Sequence, residues 1–183
     1  MRLSLIAIAS VIASQLLLLG SAYAGSEAST TKPYAEPLSS QTIDTLKILY
    51  EQLINRENAH DVEAVKDMVW NSPSTLFVAK TATPAEGNWA GFWGKEVVIA
   101  HFHDLYQGTF HMEPDYSREK VVGLTPDVAE TYVPLKISVA YAGQNPVAKP
   151  FLMIVDWIRT PQGWRMATDI ALPIPPPASA THS

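Results

Sequence analysis

Two side chains in this sequence stand where a proton could be moved. Asp156 lies in Val155-Asp156-Trp157-Ile158-Arg159, a carboxyl group inside an apolar run, and His101 lies in Ala100-His101-Phe102-His103-Asp104, an imidazole among helix formers. Burial disfavours the charged form of an acid, so a carboxyl group in an apolar setting keeps its proton and can donate a hydrogen bond to a ligand oxygen. Histidine titrates near neutrality and is the commonest general base. Each also has a plainer reading: Asp156 as a carboxylate hydrogen-bonded to Thr168, Tyr50 or a histidine, and His101 as a satisfied polar residue on its helix. Tyr50, Trp89, Trp93 and Trp164 are the candidates for closing a cavity around the pair, since an aromatic ring offers a large apolar wall with a polar edge. His101, His103 and His111 invite a metal reading, but an i, i+2 spacing puts the first two on different sides of a helix, so no metal is expected. No nucleophile elbow, phosphate loop or dinucleotide fingerprint is present, and no cofactor is expected.

The element that positions Asp156 is a β-hairpin over Phe151 to Ile170. Thr160 closes one strand, Pro161 and Gln162 suit right-handed turn positions, Gly163 suits a left-handed one, and Trp164 opens the return strand. With Thr160 opposite Trp164, Ile158 faces Met166, Asp156 faces Thr168 and Ile154 faces Ile170. On the other face Arg159 would oppose Arg165, and like charges so placed are tolerable only in water. The Ile154/Ile158/Trp164/Met166 face is therefore expected inside, with Asp156 on it. Phe151, Met153, Val155 and Trp157 are left on the outer face, apolar enough to predict a homodimer through it.

Upstream, Ile43, Leu46, Leu49, Tyr50, Leu53 and Ile54 recur at helical spacing and predict an amphipathic helix to Asn58. Asp61 caps a second helix with Val62, Val65, Met68 and Val69 on its buried stripe, ended by Pro73. Thr75 to Ala79 reads as a short strand, Lys80 to Asn88 as a flap-length loop, and Trp89 to Trp93 as a brief pairing segment. Gly94 opens a third helix whose stripe, Val98, His101, Phe102 and Leu105, turns His101 inward or to the rim. From Thr109 the chain reads as long antiparallel strands, Thr109 to Val122, Val128 to Tyr141, Val147 to Thr160 and Trp164 to Leu172. Val133, Leu135, Ile137, Val139 and Tyr141 share a buried face, with Pro134 marking a bulge or an edge.

The 183 residues suit one domain, and a net charge of −5 argues against nucleic acid. Arg2, an apolar run from Leu3 to Leu19 and the small residues of Ser21-Ala22-Tyr23-Ala24 read as a signal peptide over residues 1–24, cleaved after Ala24. The expected product is periplasmic or secreted, with no stable membrane span once the peptide is removed. With no cysteine, export brings no disulfide framework. Residues 25–38 read as a linker, 39–172 as the domain and 173–183 as a proline-rich disordered tail.

Helix, helix, short strand, flap, helix and then long strands resembles the NTF2-like cone fold, in its SnoaL-like and ketosteroid-isomerase-like branch. The residues that carry the likeness are His60-Asp61-Val62-Glu63-Ala64-Val65 at the second helix, Gly94-Lys95-Glu96-Val97-Val98 at the third, and Gly163-Trp164-Arg165-Met166 in the final strand, spanning about residues 40 to 172. The resemblance implies an α+β fold, a curved antiparallel sheet wrapped around three N-terminal helices with a pocket between them. It matches Asp156 to the oxyanion-hole aspartate of ketosteroid isomerases, leaves Tyr50 one turn from the helix-one tyrosine position near Leu53, and puts His101 at a pocket-lining aromatic position. The base position falls near Val78, where there is no carboxylate. Two function classes follow: an exported protein that binds a small, mostly apolar molecule and performs acid–base chemistry of isomerase, dehydratase or cyclase type, or a non-catalytic ligand-binding or dimerisation module.

Overall fold

Capping and periodicity account for the helices. In the computed structural model, which describes residues 38–80, 90–140 and 146–175, the Ser39 hydroxyl accepts the Thr42 N–H at 3.1 Å and starts helix α1, Ser40–Asn58. Its buried residues are Leu46, Tyr50, Leu53, Ile54 and Glu57, so the apolar stripe runs on to an acid. Asp61 accepts the Ala64 N–H at 3.0 Å and caps α2, Val62–Met68. This helix stops ahead of Pro73, because Val69 becomes extended and the Trp70 N–H donates to the Met166 carbonyl at 2.8 Å. Strands β1, Leu76–Ala79, and β2, Phe92–Trp93, precede α3, Lys95–Leu105, which buries Val98, His101, Phe102 and Leu105 as its spacing requires. The expected signal peptide, most of the linker, the flap with Trp89, Tyr141 and most of the proline-rich tail lie outside the described residues.

The strand expected over Thr109 to Val122 is two strands, β3, Phe110–Pro114, and β4, Lys120–Thr125, separated by a 3-10 turn at Tyr116–Arg118. Both pair in succession with β5, Val128–Val139. Pro134 falls where β5 changes partner: a residue without an N–H costs no ladder bond there, and its carbonyl accepts the Asp115 N–H at 2.8 Å. Strands β6, Lys149–Thr160, and β7, Gly163–Pro173, complete a seven-stranded sheet in the order β2-β1-β7-β6-β5-β3, with β4 also on β5. The sheet is mixed rather than wholly antiparallel, since β1 runs parallel to β7. The Val69 bridge to Met166 is already parallel, so the chain's direction along β7 is set before β1 begins.

Asn58, at the end of α1, holds β3 as a strand partner would. Its Nδ2 donates to the Met112 carbonyl at 2.9 Å, and its Oδ1 accepts the Met112 N–H at 2.7 Å. Met112 is buried, so Asn58→Ala would strand both groups away from water, and we expect a loss of about 2 kcal/mol in urea denaturation. A loss no larger than that of a surface substitution would show that water replaces the amide.

The hairpin corrects the expected face. Thr160 pairs with Gly163, whose φ is +100°, leaving Pro161 and Gln162 as the turn, so Arg159 lies opposite Trp164 and Arg165 opposite Ile158. The arginines never oppose each other, and the repulsion that was expected to force their face outward does not arise. A bulge then intervenes: Trp157 pairs with Met166 but Asp156 with Thr168, leaving Ala167 as the extra residue. Beyond it the expected pairs Asp156 with Thr168 and Ile154 with Ile170 are present, on the opposite face from the one expected. The core takes Phe151, Met153, Val155 and Trp157 from β6, Trp164, Met166, Asp169 and Ala171 from β7, and Val133, Leu135 and Ile137 from β5. Phe151, Met153, Val155 and Trp157 therefore cannot form an exposed dimer interface.

Candidate functional site

The most unusual chemistry in the fold lies inside it. Glu57 is the last buried residue of the α1 stripe, and Asp169 projects from the core face of β7, beside Phe77 of β1 and opposite Val155 of β6. They are 1% and 0% exposed. Tyr50 precedes Glu57 by about two turns on the same face of α1, and Tyr106 follows α3 as its C-cap. The Tyr106 ring is stacked on His60 at 5.0 Å, while the His60 Nε2 lies 3.0 Å from the Phe110 carbonyl. His60 has a positive φ of 57°, so the α1–α2 turn is shaped to present this ring.

No cation offsets these acids: among the described residues the ion pairs are Lys66 with Glu63 and His103 with Asp104, both exposed. Burial alone raises the Asp169 carboxyl to about 7. Burial first, and then the neighbouring Asp169, pushes Glu57 well above the usual carboxylate range. Two carboxyl groups so placed resist ionising together, so protons leave the pair in separate steps. Burial, followed by the same two acids, also raises both tyrosines and keeps their hydroxyls protonated. Asp169 acts on Tyr50 more strongly than Glu57 does, and on Tyr106 the order reverses. The hydroxyls of Tyr50 and Tyr106, Oε1 of Glu57 and both carboxylate oxygens of Asp169 are buried without a hydrogen-bond partner among the described residues. Buried polar groups normally find a partner, so unused capacity on four side chains whose charges act on one another marks this cluster as the candidate site. Tyr116 meets the Tyr50 ring edge-on at 6.4 Å and is 40% exposed, linking this cluster to the surface.

The residues expected from the sequence are divided between the two faces of the sheet. Asp156 is half-buried on the outer face, between Glu130 and Thr168. Burial raises its carboxyl, the Thr168 hydrogen bond opposes that, and Glu130 adds to it. Glu130 itself accepts the Tyr132 hydroxyl. His101 lies on the inner side, stacked on Phe92 at 3.8 Å and against Phe77 at 5.1 Å. Its burial lowers it to about 4, which keeps the ring neutral at neutral pH. The sheet separates the two, which corrects the expectation of a common Asp156/His101 cavity: the reversed hairpin face carries Asp156 outward. Tyr50 and Trp164 are buried on the core side, whereas Trp93 is 56% exposed, its indole N–H donating to the Ala90 carbonyl at 3.1 Å. Trp89 lies outside the described residues. The sequence did carry a signal for Glu57, four residues after Leu53 and seven after Tyr50; Asp169 was concealed by the bulge at Ala167.

No family profile matches the sequence, and neither does any curated protein. Solved structures do resemble the chain. A candidate dehydratase of the NTF2-like family from Streptomyces avermitilis has a TM-score of 0.59 at 16% identity, covering 74% of this chain and 98% of its own. An NTF2-like superfamily protein from Salmonella enterica serovar Typhimurium has a TM-score of 0.61 at 13% identity, covering 79% and 99%. A protein of cystatin-like fold from Caulobacter vibrioides has a TM-score of 0.60 at 12% identity, covering 74% and 92%. At these identities the likeness speaks for architecture, and with the helices and mixed sheet described above it shows that this chain has the NTF2-like fold.

Proposed function

We propose that this chain binds a small, mostly apolar molecule in a cone-shaped pocket between the sheet and the helices, and performs acid–base chemistry on it with the Glu57/Asp169 pair. The observation that carries this reading is two fully buried carboxyl groups with unused oxygens and, among the described residues, no ion pair to a cation. In this reading the ionised member of the pair takes a proton from the ligand, the protonated member returns one, and the Tyr50 and Tyr106 hydroxyls hold a ligand oxygen on which charge develops. Asp169, in register with Phe77, brings a carboxyl beside the strand where the SnoaL-like and ketosteroid-isomerase-like resemblance would place a base. Isomerase, dehydratase or cyclase reactions all fit such a pair.

A panel of cyclic enones and β-hydroxy carbonyl compounds, screened for turnover and for thermal stabilisation, tests the reading. Tyr50→Phe and Tyr106→Phe should weaken turnover while keeping the fold. Stabilisation without turnover, lost in Tyr50→Phe, would favour the non-catalytic ligand-binding alternative; no response from any compound would count against both.

Export through a signal peptide over residues 1–24 belongs to the same proposal, and intact mass of protein recovered from the periplasm or medium should begin at Gly25. A homodimer is proposed through the outer sheet face as the fold disposes it, with Leu152, Ile154, Ile158, Ile170 and Leu172 half-buried there. Light scattering at micromolar concentration checks this, and a monomer would remove it.

A further inference from the structure

A pocket of about 430 Å³ lies away from the buried acids, between the β6–β7 turn and the connection from α2 to β1. Its charged lining is Asp67, Lys95, Arg159 and Arg165, with Asn71, Thr160 and Gln162 as neutral polar residues, and Trp70 supplies a half-buried aromatic wall. The fold itself gathers these cations. The tight turn brings Arg159 and Arg165 to one end of the hairpin, and Lys95, the first residue of α3, is fixed by donation from its Nζ to the Val69 carbonyl at 3.2 Å. Arg165 is oriented through Nη1, which donates to the Trp164 carbonyl at 2.9 Å. None of the three has a carboxylate partner, since the ion pairs among the described residues involve Lys66 and His103. Asp67 is the single acid in the lining, so positive charge is concentrated here on a chain whose net charge is −5.

We propose that this pocket binds a small organic anion, an oxyanion head on a flat apolar body. Guanidinium forks match a phosphate or carboxylate through paired N–H donors, and Lys95 adds a point charge. Trp70 offers the surface against which a ring would lie. The volume falls within the range of small-molecule sites. The site is independent of the acid–base cluster and requires no reaction there.

Calorimetric titration of the full chain with phenyl phosphate and with benzoate, at low salt, decides between head groups, and benzyl alcohol serves as the uncharged control. At least one anion should bind saturably with a Kd of about 1 mM or tighter, weakening as salt is added, while benzyl alcohol should not. Arg159→Ala, at an exposed position, should weaken binding about tenfold, and Arg159→Lys should restore part of it. Asp169→Asn should leave this affinity unchanged, which separates failure here from failure of the interior site. No saturable binding by either anion up to about 10 mM, equal binding of benzyl alcohol, or affinity indifferent to Arg159→Ala would each overturn the proposal.

Discussion

Replacing Asp169 with asparagine is expected to make folding stability less sensitive to pH and, on the acid–base reading proposed above, to lower turnover sharply. The sign follows from burial. In the unfolded chain an aspartate titrates near its ordinary value, whereas in the folded chain Asp169 titrates at about 7. Below the unfolded value both states hold the proton and the group contributes no difference. As pH rises from about 4 towards 7 the unfolded chain releases its proton first, so stability present at low pH is lost as pH passes through the folded value. Glu57, raised by burial and by Asp169, acts with the same sign. The native chain should therefore be less stable at pH 8 than at pH 5. Asparagine keeps the shape and cannot ionise, so Asp169→Asn should flatten that slope and gain a few kcal/mol relative to the native chain at pH 8. If the pair acts as proposed, turnover should fall by about 10²–10⁴-fold while ligand binding persists. Urea denaturation at the two pH values measures the first effect; identical slopes in both proteins would mean that Asp169 is not a buried, protonated acid.

The parts of the fold legible in the sequence were those where one local rule had no competitor. The apolar stripes of α1 and α3, the Asp61 cap and the alternating face of β5 as far as Val139 each follow from spacing within a single element. The hairpin was harder because its face depended on a count across a turn. A tighter turn moves every partner near it, and a bulge farther along restores the pairs while keeping the face reversed. Pairing and face are normally fixed together in a hairpin; Ala167 uncouples them here. The alternation Phe151, Met153, Val155, Trp157 points to the core, and the repulsion between Arg159 and Arg165 that would oppose it exists only in a register the two-residue turn does not allow.

The candidate site shows the same dependence. Asp156 was conspicuous as a charged residue within an apolar run, yet that run alternates, and its neighbours Val155 and Trp157 take the interior. Asp169 stands between Thr168 and Ile170 and carries no comparable local signal; only the tertiary pairing with Val155 and Phe77 places it inside. Glu57 was within reach of helical periodicity, since the α1 stripe passes through it. Their conjunction could not be read locally, because it joins residues from opposite ends of the domain.

Trp157→Ala is expected to cost about 3–5 kcal/mol, and it tests the inverted face directly. Trp157 is 0% exposed, and its indole N–H donates to the Thr131 hydroxyl at 3.2 Å. Truncation would remove a large apolar side chain from between helices and sheet and leave Thr131 without that donor. Ile154, on the other face between Tyr132 and Ile170, is half-buried, so Ile154→Ala should cost about 1 kcal/mol. Trp157→Phe separates packing from the hydrogen bond, and should recover most of the loss, leaving about 1 kcal/mol. Urea denaturation of the three variants, compared at matched m-values, gives the ordering. Comparable losses for Ile154→Ala and Trp157→Ala in dilute protein would mean that β6 does not bury one face in preference to the other. If the Ile154→Ala loss instead grows with protein concentration, the outer face is covered by a second copy, because only an association equilibrium makes a substitution's cost depend on concentration.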